Sequence, residues 1–157
     1  MLQANVAQLF EYQRERLQLL LVCGNLDAPI AINHQHASPA DLVGHLNLIH
    51  PDRIQVIGAP EINWATQQHA VRVSRHMDEI IASHPPAVIV ADGCPIPATV
   101  REACERSSTA LFSTPQAAAT VIDLLRIWLS QGITRTPKTP WRLSGSSKRR
   151  SSNANKD

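Results

Sequence analysis

The apolar residues of this chain occur in short β-branched runs that alternate with stretches of helical spacing. The clearest run is 87–91, Ala-Val-Ile-Val-Ala, with Pro85-Pro86 before it and Asp92-Gly93 after it. A continuous run of this length favours a strand that is covered on both faces, as in a parallel sheet between helices. Residues 97–106 have helical spacing, and 109–112 predict another strand. This strand–helix–strand unit indicates an α/β architecture.

Three more helices are predicted from apolar stripes and from residues that favour helix ends. Asn5 is placed to cap a helix that ends near Arg16, and Asn63 to cap one that leads to the central strand. The clearest amphipathic stretch starts at Thr114-Pro115 and ends at Gly132. The stripes are Val6, Leu9, Phe10 and Leu17; Val73, Met77, Ile80 and Ile81; and Ala118, Val121, Ile122, Leu125, Trp128 and Leu129.

Two short apolar segments near the N-terminus are separated by turn-forming residues. Residues 19–23 predict a buried strand, 24–27 a turn and 29–32 a second strand. The spacing indicates a β-hairpin.

The segment that follows is typical of a helix start, because Ser38-Pro39 combines a capping hydroxyl with a proline at the first helical position. The predicted helix ends at Pro51, and residues 54–57 predict a strand that ends at Gly58. The residues that this helix would carry inward are Leu42, Leu46 and Ile49.

These elements predict one α/β domain at 1–134 and a separate tail at 135–157. The domain should have three layers, with a mixed or mostly parallel sheet of about five strands and helices on both faces. Residues 1–134 contain eight Arg, no Lys and twelve acidic residues, a balance of −4. Residues 135–157 contain seven basic residues and one acidic residue, a balance of +6. We expect this basic, Ser-rich tail to be disordered, because it has few apolar residues to bury.

Composition limits the compartment and the partners that we expect. No window approaches eighteen apolar residues, and no charged-then-apolar leader is present, so we expect a cytoplasmic protein that does not bind membranes. Three scattered cysteines indicate reduced thiols. The tail's Lys148-Arg149-Arg150 has almost no aromatic interleaving, so nucleic acid is not an expected partner.

Candidate chemistry is sparse, and we expect no catalytic, cofactor-binding or metal-binding residue. A zinc site would need three or four fixed ligands, and the histidine-rich stretch reads more simply as a polar loop. Cys94 follows the central strand, but its local charge is Asp92, which does not favour a thiolate. The six glycines stand apart, so the chain contains neither a P-loop nor a dinucleotide fingerprint. The residues considered for a metal were His34, His36, Asp41, His45 and His50.

The chain resembles the N-terminal domain of bacterial HPr kinase/phosphorylase, the enzyme that acts on a serine of the phosphocarrier HPr. The likeness covers about residues 5–134, and its most specific part is 51–58, Pro-Asp-Arg-Ile-Gln-Val-Ile-Gly. It continues through 26–30, through 38–50, through 85–93 and through 111–129. The resemblance implies an α/β domain similar to the N-terminal domains of Mur ligases. In the family, that domain is joined to a C-terminal kinase domain within a homohexamer.

In that family the kinase domain carries the P-loop and the residues for ATP, magnesium and HPr. Here Thr134 leads into the basic tail, so the resemblance transfers no catalytic residue. It implies a truncated family member or a frame-altered gene that is inactive alone. A P-loop in the downstream DNA, in any frame, would support this interpretation.

Three functions remain open from the sequence. The leading one is a non-catalytic regulatory or assembly domain, with a homo-oligomer or a kinase-domain protein as partner and HPr involved only indirectly. The alternative is a small-ligand or nucleotide-binding domain that uses Asp92, Gly93 and Ser113 at the carboxyl ends of the strands. A third is an enzyme with an unrecognised site.

Overall fold

The computed structural model describes residues 3–31, 43–45 and 53–130 of the chain. Its main sheet has the order β2-β7-β6-β5-β4, in which β4 to β7 run parallel and β2 is antiparallel to β7. This mixed five-stranded sheet confirms the predicted α/β fold class. The strands are β1 (Gln3–Asn5), β2 (Leu20–Cys23), β3 (Pro29–Ala31), β4 (Val43–His45), β5 (Ile54–Ile57), β6 (Ala87–Val90) and β7 (Ala110–Ser113).

Helices cover both faces of the sheet. One face packs α1 and α5 against residues such as Val56, Ile89 and Phe112. The other packs α2, α3 and α4 against residues such as Val88 and Leu111. The helices are α1 (Val6–Leu17), α2 (Ala59–Thr66), α3 (Ala70–Ile81), α4 (Ala98–Ser107) and α5 (Ala118–Ser130).

The central strand is β6, as the sequence predicts. All four of its residues are fully buried, and it is hydrogen-bonded to β5 on one side and to β7 on the other. A strand buried on both faces needs a continuous apolar run, because each successive side chain enters a different core.

Helix α1 begins at the predicted cap. The Asn5 side chain accepts a hydrogen bond from the Gln8 N–H at 2.8 Å, and the Gln8 side chain accepts one from the Asn5 N–H at 3.0 Å. This reciprocal pair satisfies two N–H groups at the start of the helix. At its other end the chain turns through Gln18, whose φ is +54°.

The predicted hairpin at 19–32 is wrong. Strand β2 pairs with β7, and β3 pairs antiparallel with β1 in a separate two-stranded sheet. The intervening turn contacts the start of α1, where the carbonyl of Leu26 accepts a hydrogen bond from the Ala7 N–H and that of Ala28 accepts one from the Val6 N–H. These long-range bonds separate the two strands that a local turn would have joined.

The helix predicted from Ser38 to Pro51 is also wrong in the part that the structure describes. Val43 and His45 lie in β4, parallel to β5, with Val43 fully buried and paired with Ile54. An edge position beside a buried strand overrides the helical spacing, and Gly44 weakens the helical alternative. Leu42, Leu46 and Ile49 lie outside the described residues.

Two predicted helix starts are displaced. Asn63 lies inside α2, which begins after Gly58, and the stripe that begins at Val73 belongs to a separate helix, α3. The Gly58 N–H donates to Glu61 Oε1 at 2.7 Å. Helix α5 begins at Ala118 rather than at Pro115. The preceding turn is held by other bonds, since the Gln116 N–H donates to Thr114 Oγ1 at 3.1 Å. The predicted tail at 135–157 lies outside the described residues and stays a prediction.

Candidate functional site

The carboxyl ends of β5, β6 and β7 lie at one edge of the sheet, where open α/β sheets bind ligands. Asp92 and Gly93 follow β6 and are exposed, whereas Ser113 is half-buried at the end of β7 and pairs with Val90. The three residues that the sequence proposed for a ligand site therefore share this edge.

The Asp92 carboxylate joins the starts of two helices. Its Oδ2 accepts a hydrogen bond from the Ala59 N–H at 2.7 Å, and its Oδ1 accepts one from the Ala118 N–H at 2.9 Å. These are the first residues of α2 and α5. A negative side chain stabilises a helix N-terminus because it satisfies an unpaired N–H and complements the helix dipole. Both carboxylate oxygens therefore have a structural partner.

The backbone around Asp92 is also bonded internally. Asp92 and Gly93 have φ values of +61° and +66°. Their N–H groups donate to the carbonyls of Gln116 at 2.8 Å and Thr114 at 3.1 Å, and the Thr114 N–H donates to the Val90 carbonyl at 3.0 Å. A phosphate-binding loop would point such N–H groups at a ligand. Here they hold the loop before α5 against the end of β6.

Gly58 allows the ends of β5 and β6 to approach this loop closely. A Cβ atom at position 58 would lie 2.8 Å from Asp92 Oδ2 and 3.1 Å from the Cβ of Ala118. Any larger residue at this position would push the carboxylate away from the two helix starts.

We expect Asp92→Gly to be less stable than His84→Gly by about 1–3 kcal/mol, because both substitutions relieve the same left-handed strain but only Asp92→Gly also loses two capping bonds. Glycine is the appropriate replacement, since it accepts a positive φ without strain. His84→Gly is the matched control: His84 is exposed and has a φ of +56°. Urea denaturation of both variants measures the difference, and equal stability would show that the carboxylate contributes nothing.

The surroundings of all three thiols raise their pKa values. Burial raises the pKa of the Cys94 thiol, and the carboxylates of Asp92 and Glu61 raise it further. Burial also raises the pKa of Cys23, and it raises the pKa of Cys104 to about 12. Because the thiolate is the reactive form, these environments disfavour covalent catalysis at neutral pH.

Ionisation of Cys104 is expected to destabilise the fold in alkali. Its pKa rises from about 9, the ordinary value, to about 12 in the folded state. Its stabilising contribution is therefore complete below about pH 9 and is lost as the pH rises towards 12, with a slope of up to about 1.4 kcal/mol per pH unit. Urea denaturation between about pH 8 and pH 10 should show a shallower decline for Cys104→Ala. The same slope in both proteins would contradict this assignment.

Of the residues considered for a metal site, the structure describes His45, which is exposed on β4. His34, His36, Asp41 and His50 lie outside the described residues. Within residues 3–31, 43–45 and 53–130, no three histidine, cysteine or acidic side chains come together as a metal site would require. The expectation of no metal stays a prediction.

Sequence reasoning missed the capping role of Asp92 and the true start of α2. The start of α2 had a local signal, since Pro60 in the first turn and Glu61 at the third position are typical of a helix start. The capping role of Asp92 had no local signal, because Asp92 is far along the chain from Ala59 and Ala118.

Among the described residues, no helix combines the length and the apolar character needed to cross a bilayer.

Comparison with known proteins places the chain in a family. The sequence pattern of the family described as HPr Serine kinase N terminus matches residues 4–129. An HPr kinase/phosphorylase of Aromatoleum aromaticum is 51% identical over 131 residues, covering 83% of this chain and 42% of that protein. One from Azoarcus sp. gives the same figures. One from Paraburkholderia xenovorans is 55% identical over 94 residues, covering 60% of this chain and 29% of that protein.

The chain therefore spans less than half the length of these relatives. Its matched segment coincides with the described α/β domain, from the cap of α1 to the end of α5. The chain belongs to the HPr serine kinase N-terminal domain family.

Proposed function

We propose that residues 4–129 form a non-catalytic regulatory and assembly domain that works with an HPr kinase/phosphorylase. The observation that carries this proposal is the use of the Asp92 carboxylate. At the edge where α/β folds bind ligands, both of its oxygens cap the chain's own helices. The raised pKa values of the thiols and the lack of a P-loop in the sequence support the same conclusion.

The partners in this proposal are other copies of the chain or an intact HPr kinase/phosphorylase, and HPr takes part only through the latter. ATP and magnesium belong to the kinase and not to this domain. The proposed compartment is the cytoplasm. The small-ligand alternative is disfavoured by the internal bonds of Asp92 and Gly93.

The non-catalytic part is tested by incubating the purified chain with HPr, magnesium and radiolabelled ATP. We expect no phosphate transfer above a no-protein control, because a glycine-rich loop and its lysine normally hold the phosphates. Transfer by this chain alone would overturn the proposal.

The assembly part is tested by sedimentation velocity on the chain alone and mixed with the intact HPr kinase/phosphorylase of Aromatoleum aromaticum. We expect the chain itself to sediment as a species larger than its monomer in one or both samples, and we expect an altered kinase rate in the mixture. A chain that stays monomeric in both samples and leaves the kinase rate unchanged would remove the assembly role.

A further inference from the structure

A depression of about 210 Å³ lies between α2 and α3, beside the first turn of α2. It is lined by Pro60, Glu61, Trp64 and His76. The Trp64 side chain is 36% exposed, and its ring centroid lies 5.2 Å from that of His76, with the rings tilted by 50°. A tryptophan ring that is partly open to solvent can present its π-face to an incoming group.

The depression contains the carboxylate of Glu61. Glu61 Oε1 accepts the Gly58 N–H, and the second carboxylate oxygen, Oε2, can accept further hydrogen bonds. Among the described residues, no lysine or arginine lines the depression, and His76 is the other titratable side chain that does. Arg72 precedes His76 by one turn of α3 and is not part of the lining.

We propose that this depression binds an arginine side chain from a basic segment of a partner protein. A guanidinium ion is planar and weakly hydrated, so it can stack on the Trp64 ring while it donates hydrogen bonds to a carboxylate. Glu61 supplies that carboxylate one helical turn from Trp64. The proposal rests on the regulatory role proposed above, because such a domain needs a surface that recognises its partner.

The direct test titrates the full chain with the blocked tripeptide acetyl-Gly-Arg-Gly-amide, followed by the indole N–H signals in a proton–nitrogen NMR spectrum. We expect a saturable shift of the Trp64 signal and no shift of Trp128, which is 9% exposed. For one side chain at an exposed site, we expect a dissociation constant on the order of 10 mM. A control peptide carries citrulline, which has the shape of arginine without its charge, in place of the arginine. We expect its dissociation constant to be at least roughly fivefold higher.

Two variants test whether binding depends on the charge of Glu61 when the fold is preserved. Glu61→Gln keeps a side-chain oxygen that can accept the Gly58 N–H, so the helix start is preserved while the charge is lost. We expect it to weaken binding roughly fivefold. Glu102→Gln, which removes an exposed carboxylate of α4 outside the depression, should bind as the unchanged chain does.

Three results would overturn the site. They are a Trp64 signal that shows no saturable shift, a citrulline peptide that binds as tightly as the arginine peptide, and a Glu61→Gln variant that binds the arginine peptide as tightly as the unchanged chain. Urea denaturation confirms that each variant is folded. The titration is independent of any kinase. A bound peptide with no assembly would refute the assembly role alone, and assembly without peptide binding would refute this site alone.

Discussion

Gly24→Ala is expected to lower the free energy of unfolding by about 2–5 kcal/mol. Gly24 has a φ of +101°, and a Cβ atom there would lie 2.1 Å from the carbonyl oxygen of Thr109 and 2.5 Å from the Cα of Ala110. These are backbone atoms at the start of β7, so no side-chain rotation can relieve the overlap. The expected cost combines about 1–2 kcal/mol of left-handed strain with about 1–3 kcal/mol of overpacking.

Gly93→Ala is the matched control for this experiment. Gly93 also has a positive φ, +66°, but the nearest atom to an added Cβ is 3.9 Å away. Only the backbone strain should remain, at about 1–2 kcal/mol. Urea denaturation of both variants gives the comparison. If the two substitutions cost the same, the close approach of the turn to β7 has no energetic importance.

Leu125→Ala is expected to destabilise the domain by about 2–5 kcal/mol, because it removes a fully buried side chain and leaves a cavity. Leu125 lies on the apolar face of α5, which packs on the core shared with α1 and the sheet. Such a loss is a large part of the total stability of a small domain.

Ile127→Ala tests whether this loss comes from the core or from the helix. Ile127 lies on the same helix with 49% of its side chain exposed, so its truncation should cost far less. Chemical denaturation monitored by circular dichroism measures both variants. A smaller effect for Leu125→Ala than for Ile127→Ala would mean that α5 does not pack as described.

The parts of the fold that were predictable are those with a complete local pattern. The buried run of β6, the cap at Asn5 and the stripe of α5 each specify an element without reference to distant residues. The wrong predictions for β3 and β4 concern segments whose structure depends on distant partner strands. Whether Val43 lies in a helix or a strand is decided by Ile54, its partner in the sheet, and local spacing contains no information about that pairing.

The candidate sites could likewise be predicted only as far as they depend on neighbouring residues in the sequence. The sequence placed Asp92 at the correct edge of the sheet, because an acidic residue after a buried strand is a local feature. It did not reveal the use of the carboxylate, since the two N–H donors are 33 and 26 residues away. Trp64 and His76 belong to different helices, so their rings meet only because of how the chain turns between α2 and α3.

The bridge made by Asp92 has a consequence for how the domain opens. Helices α2 and α5 belong to different cores on opposite faces of the sheet, yet their first turns share one side chain. Fraying at either helix start removes a partner from the carboxylate that holds the other. The amide hydrogens of Ala59 and Ala118 should therefore exchange with solvent through a common opening event, so that the two faces of the sheet behave as a single cooperative unit.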